Sequence, residues 1–127
     1  MEQFKYFCRK HHTNMITIYH NPRCSKSREG LSLLEDSGKE FRKVLYLEDE
    51  LSVKELTDII QKLNIPPIDL VRKNEAIWKE NYKDKTLSDQ EIIQIMVENP
   101  KLIERPIVVN ANRAVIGRPT ETINTII

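Results

Sequence analysis

The sequence predicts an α/β fold, a mixed β-sheet covered by helices and interrupted by a helical insertion. Three observations predict it. Short apolar runs alternate with helix-period segments at the start of the chain, and two strand-like runs near its end are spaced as a hairpin. The stretch between them carries two helix-start signatures. A β-α-β unit opens with a parallel pair and a hairpin adds antiparallel strands, so the sheet is mixed. At 127 residues the chain has the length of one domain with a proper core.

Each element follows from local chemistry. Ile16 to His20 reads as a buried strand, and Ser25 to Ser37 as a helix closed by Gly38 at its C-cap. Phe41 to Leu47 is the second strand. Ser52-Val53-Lys54-Glu55 is a capping box, opening a helix with Val53, Leu56, Ile59, Ile60 and Leu63 on its apolar face. Pro66-Pro67 stops it and starts a short helix through Ile68, Leu70 and Val71. Ser88-Asp89-Gln90-Glu91 is a second capping box, and its helix carries Ile92, Ile95 and Met96 and stops before Pro100. Ile107-Val108-Val109 and Ala114-Val115-Ile116 are strands joined by Asn110-Ala111-Asn112-Arg113, and a last helix begins near Thr120. Residues 1–14 have no clear period and precede a second methionine, Met15. They read as a flexible N-terminal extension to a folded domain at 15–127. His11 and His12 are adjacent, would point to opposite faces of a strand, and do not make a metal pair.

Composition narrows the function. Twenty Lys+Arg against nineteen Asp+Glu leave a net charge of +1, with no overall field to recruit nucleic acid or an anionic membrane. Apolar runs stop at about five residues, against the ~20 a membrane helix requires, and no segment has a signal-peptide core. Cys8 and Cys24 make no disulfide framework, which points to the reducing cytoplasm, and the cysteines and three histidines match no zinc pattern. No metal and no bound cofactor is expected.

Cys24 is the centre of the chemistry. It lies in His20-Asn21-Pro22-Arg23-Cys24-Ser25-Lys26-Ser27-Arg28, where a strand ends and a helix begins. The first turn of a helix presents unpaired N–H groups and a positive dipole end, both of which favour thiolate over thiol. Arg28, one turn on, is expected to add a guanidinium there, and His20 is a candidate to modulate the thiolate. Buried structural cysteines have apolar neighbours; these neighbours are polar and positive and suit an anion. Trp78 reads as a core or lid contact, and Glu75, Lys79, Glu80, Lys83 and Asp84 as solvated surface.

A cysteine at the end of the first strand matches the thioredoxin-like plan, with Ser52 to Asn99 as the insertion between its halves. In that plan the loop before the third strand passes beside the cysteine, often through a cis proline, and Pro106 is the candidate. Arg105 would then lie near the sulfur, with Arg118 and Arg72 at the rim. Arginine suits a tetrahedral oxyanion because its planar fork donates paired hydrogen bonds and keeps its charge.

These residues resemble the glutaredoxin-dependent arsenate reductase (ArsC) family, in its YfgD-type branch, from Met15 to the C-terminus. His20-Asn21-Pro22-Arg23-Cys24 with Ser27-Arg28 is similar to the family's nucleophile motif. Leu70-Val71-Arg72, Leu102 to Val109 and Gly117-Arg118-Pro119 are similar to its three arginine segments. Ser25-Lys26 departs from the family's usual Gly-Thr pair and adds charge and bulk beside the anion site.

The resemblance implies a thioredoxin-like fold, Cys24 as nucleophile, and Arg72, Arg105 and Arg118 as ligands of arsenate or a similar oxyanion. It implies reduction of arsenate to arsenite, with glutathione as co-substrate and glutaredoxin as partner. Ser27 stands where a resolving cysteine would be, so electrons come from an external thiol unless Cys8 serves. Two alternatives share the fold. One is a glutathione-dependent thiol oxidoreductase acting on another small substrate. The other is a regulator resembling the Spx proteins that bind RNA polymerase, against which the missing Cys-x-x-Cys argues.

Overall fold

The computed structural model describes residues 15–127; the expected extension, Cys8, His11 and His12 lie outside them. The strands are β1 (Ile16–Tyr19), β2 (Phe41–Val44), β3 (Ile107–Asn110) and β4 (Arg113–Ile116). The α-helices are α1 (Ser25–Ser37), α2 (Val53–Leu63), α3 (Ala76–Asn81) and α4 (Asp89–Glu98). Three 3₁₀ segments, Pro67–Leu70, Pro100–Leu102 and Thr120–Thr125, complete the path. They form two compact units, one of the residues up to Leu45 with Arg105–Ile127, the other of Tyr46–Glu104.

The first unit holds the sheet, in the order β2-β1-β3-β4. β1 runs parallel to β2, with Ile16 opposite Phe41 and Tyr19 opposite Val44, and antiparallel to β3, with Tyr19 opposite Ile107. β3 and β4 form the expected hairpin. The mixed sheet is thus the one the β-α-β pattern and the hairpin spacing predict. Alternation along β1 puts Ile16 and Ile18 on one face, where they join Leu34 of α1, Val108, Ile123 and Ile126 in the core. Ile18, Leu34, Val108 and Ile123 are completely buried, at roughly 1.5–3 kcal/mol each. Gly38 closes α1 in the left-handed conformation, φ 76°, as its position predicts.

Two boundaries differ from expectation. β2 ends at Val44 instead of Leu47, because β1 ends at Tyr19 and leaves nothing beyond it to pair with. His20 N–H makes the last link, to the Val44 carbonyl at 2.9 Å. The hairpin strands each extend one residue inward, leaving Ala111 and Asn112 as the turn, with Ala111 at φ 58°. The C-terminal helix forms as a 3₁₀ helix.

The second unit is helical. Both capping boxes form: Glu55 N–H donates to Ser52 Oγ at 3.0 Å and Ser52 N–H to Glu55 Oε1 at 2.8 Å. The pair at Ser88 and Glu91 repeats this at 3.2 and 2.8 Å. α2 packs on α4, and so do the first two 3₁₀ segments. Leu56, Leu70, Met96 and Leu102 are fully buried. An isolated antiparallel bridge joins Val71 to Ile103, with Arg72 N–H on the Leu102 carbonyl at 2.7 Å. α3 forms within the stretch that the sequence marks only as a solvated helix or loop surface. It is short and buries one side chain, Trp78, whose ring lies 5.6 Å from that of Tyr82.

Candidate active site

Cys24 is the N-cap of α1, with extended backbone (φ −97°, ψ 124°). A set of short-range bonds fixes the loop that carries it. Asn21 accepts twice, from Arg23 N–H at its Oδ1 and from Cys24 N–H at its carbonyl, each at 3.0 Å. Ser27, completely buried at the third helical position, is the hub beneath. Its hydroxyl oxygen accepts from Asn21 N–H at 2.9 Å and lies 2.8 Å from His20 Nδ1. With Asn21 N–H occupying the oxygen, the hydroxyl proton is free to go to Nδ1 of a neutral imidazole. Burial, then the charge of Lys43, hold His20 below its ordinary pKa and keep that ring neutral.

Arg28, expected beside the thiolate, sends its Nη1 to the Pro22 carbonyl at 2.9 Å and so braces the loop. His20 likewise bonds Ser27 under the loop. The Ser27 hub escaped the sequence reading, although a serine three residues after a helix-capping position is a visible signal.

Two arginines from the other end of the unit address the sulfur. Arg105–Pro106 and Arg118–Pro119 are both cis peptides, the first at the proline singled out from sequence. A Cβ on Gly30 of α1 would stand 2.9 Å from Pro106 Cγ, and one on Gly117 would stand 3.0 Å from it. Pro106 therefore packs where neither neighbour has a side chain, which draws the two arginine segments close to α1. Arg118 Nε donates to the Arg105 carbonyl at 2.8 Å, and its Nη2 reaches Cys24 Sγ at 3.4 Å. Thr120, two residues on, donates to Glu29 Oε1 of α1 at 2.9 Å.

The electrostatics follow. Partial burial of the sulfur opposes ionisation. Against it act the Ser27 N–H, a hydrogen bond from the Arg105 side chain, the Lys26 N–H and the Arg105 charge. The net effect is a thiol pKa below its ordinary value, so the nucleophilic form is favoured. The site joins a thiolate, backbone N–H donors at a helix start and two guanidinium groups, the chemistry for attack on an anionic centre.

Arg72 belongs to the helical unit. There its Nη1 lies 3.3 Å from Glu104 Oε1 and its Nε 3.5 Å from Glu75 Oε2. Among the described residues no group of three or more His, Cys, Asp or Glu side chains is placed to hold a metal ion. No described helix is long and apolar enough to cross a membrane.

The ArsC family model matches residues 19–126. Over 117 residues the chain is 48% identical to the uncharacterized protein YfgD of Escherichia coli K12, spanning 91% of this chain and 98% of that one. It is 44% identical over 110 residues to the arsenate reductase of Haemophilus influenzae, spanning 85% of this chain and 95% of that one. The solved structure of an arsenate reductase from Vibrio cholerae superposes with a TM-score of 0.85 at 45% identity, covering 89% of this chain and 98% of that one. With the cysteine loop and both proline-flanked arginines inside the matched span, the chain belongs to the ArsC family.

Proposed function

We propose that this protein is an arsenate reductase, reducing arsenate to arsenite through Cys24 with glutathione and glutaredoxin as electron donors in the cytoplasm. The observation that carries the reading is the contact of Arg118 Nη2 with Cys24 Sγ at 3.4 Å, beside a thiol whose pKa Arg105 helps to lower. A thiolate and an arsenate dianion repel each other. Arginines that touch the sulfur before substrate arrives are placed to neutralise both.

The chemistry balances in three steps. Cys24 Sγ attacks arsenic, a sulfur–arsenic bond forms, and one arsenate oxygen leaves as water after taking up protons. Glutathione sulfur then attacks Cys24 Sγ. The sulfur–arsenic bonding pair passes to arsenic, which goes from As(V) to As(III) and departs as arsenite, leaving a Cys24–glutathione disulfide. Glutaredoxin thiolate attacks the glutathione sulfur and releases Cys24 as thiolate. Two thiols lose two electrons and arsenic gains two. Arg105 and Arg118 bind the oxyanion in this scheme. Arg72 enters as a third ligand on the strength of the family motif.

The test is NADPH consumption in the presence of arsenate, glutathione, glutathione reductase and glutaredoxin, with Cys24→Ser as comparison. Arsenate-dependent turnover that disappears in the variant supports the reading. A folded protein with no turnover overturns it, and glutathionylation of Cys24 without arsenate turnover would then favour a thiol oxidoreductase on another substrate.

A further inference from the structure

The helical unit contains a pocket of about 600 Å³ with no part in the chemistry above. That volume falls in the range of roughly 300–1,000 Å³ usual for small-molecule sites. Four lysines line it: Lys73, Lys79, Lys83 and Lys85. Its apolar lining comes from Ile68, Trp78, Leu87 and Ile92, of which Trp78 and Ile92 are buried and the other two half-buried. Asp89 is the one acidic residue in the lining.

The charge is sorted, and this sorting is the telling feature. From Lys79 to Lys85 the sequence alternates basic with acidic residues, and overall charge is nearly balanced at +1. The lining instead carries four basic residues against the single acidic Asp89. Glu80 and Asp84, each next to a lining lysine, do not line the pocket. Lys79 lies in the last turn of α3, and Lys83 in the turn that follows it, where its N–H bonds the Trp78 carbonyl at 3.0 Å. Among the described residues none of the four ammonium groups has a carboxylate partner; Lys85 lies 5.7 Å from the centre of the Tyr82 ring. Four like charges around one cavity repel one another, and an anion between them removes that cost.

We propose that this pocket binds a small organic polyanion, a molecule whose apolar body meets Trp78, Ile68 and Ile92 and whose two or more negative charges meet the lysines. Four cations exceed what a single carboxylate needs, and the apolar floor distinguishes the ligand from a bare inorganic ion. Lysine suits this task as a mobile point charge that follows a flexible chain of anionic groups.

The chain's single tryptophan lies in the pocket wall, so it reports on occupancy without a label. The full-length protein is titrated with ATP as the probe polyanion and followed by Trp78 fluorescence excited at its red edge, with calorimetry in parallel. Tripolyphosphate supplies the charge without the body, and adenosine the body without the charge. Saturable binding of ATP, and weaker binding of each part, is the expected result.

Lys79→Gln with Lys83→Gln, both exposed, should weaken ATP binding by about tenfold or more, the loss of one to two charge-assisted contacts. Glu80→Gln should leave it unchanged or tighter. Raising NaCl from about 0.1 M to about 1 M shortens the Debye length from about 10 Å to about 3 Å and should weaken it strongly. Cys24→Ser should bind as the parent does, which separates this site from the proposed reductase chemistry. No saturable signal, equal affinity in the double lysine variant, or tripolyphosphate binding as tightly as ATP would overturn the proposal.

Discussion

Replacing Arg118 with leucine tests how far the thiolate depends on a single guanidinium. Arg118 Nη2 stands 3.4 Å from Cys24 Sγ, and unit charges at that distance interact by about 5 kcal/mol at an effective dielectric of about 20, or about 1.2 kcal/mol in bulk water. Arg118 is exposed and the sulfur only partly buried, so the lower end applies, about 1–2 kcal/mol. That is a factor of about ten in the balance between thiol and thiolate. The assay is the rate of iodoacetamide alkylation of Cys24 across pH. The sign is fixed by which form is charged. The guanidinium favours the anion, so Arg118→Leu should move the alkylation profile to higher pH and slow the reaction about tenfold on its acidic limb. Its plateau, where all sulfur is ionised, should change little. Arg118→Lys should fall between, since it keeps the charge but cannot reproduce the fork. An alkylation profile in Arg118→Leu that superposes on the parent's, in a variant of unchanged thermal stability, would refute the reasoning. The amides of Ser27 and Lys26 and the Arg105 side chain would then account for the low pKa by themselves.

Four further outcomes are expected. His20 is buried with its pKa depressed by burial and by Lys43, so the unfolded chain takes up this proton first as pH falls. The stability it contributes is complete above its unfolded pKa of about 6.5 and is lost as pH falls through the lower folded value. Urea denaturation from neutral pH downward should show this loss, and His20→Asn, which keeps an acceptor for Ser27, should flatten it; an unchanged slope would clear His20. Gly30→Ala places a methyl 2.9 Å from Pro106 Cγ and 3.1 Å from Ile123 Cδ1. Overpacking of about 1–3 kcal/mol outweighs a helix-propensity gain of about 1 kcal/mol, so Tm should drop, and a higher Tm would show that the proline gives way. Ala111→Asn should stabilise by up to about 1 kcal/mol, because alanine in the turn sits at φ 58° and asparagine tolerates that region; calorimetry decides it. Ser88→Ala should cost about 1 kcal/mol in chemical denaturation through loss of the α4 capping box, and a null effect would mean that packing alone sets where this helix starts.

Much of this was legible in sequence because its signals are local. A capping box needs four consecutive residues, and both boxes form where Ser52-x-x-Glu55 and Ser88-x-x-Glu91 predict them. The mixed sheet was legible because a crossover helix and a hairpin leave few arrangements. The position of Cys24 at the helix start followed from the change of period around it. What was not legible depends on contacts between distant residues. β2 stops at Val44 because of where its partner turns away, and nothing in Leu45-Tyr46-Leu47 announces that. Arg28 looked like a cation for the sulfur by spacing, yet a loop carbonyl claims its guanidinium. Lys79, Lys83, Glu80 and Asp84 read as one mixed surface, and only the fold of α3 and the chain after it sorts the lysines into a pocket.

The bond from Arg118 Nε to the Arg105 carbonyl creates an asymmetry between the two guanidinium groups. It runs from a side chain to a main chain, so a truncated residue 105 still offers the same carbonyl to Arg118. The register of the cation at 118 with the sulfur is therefore tied to the main chain at 105, while the Arg105 side chain keeps its own work on the thiolate. Truncating residue 105 removes one cation and leaves that bond's acceptor in place, whereas truncating residue 118 removes a cation and the bond together.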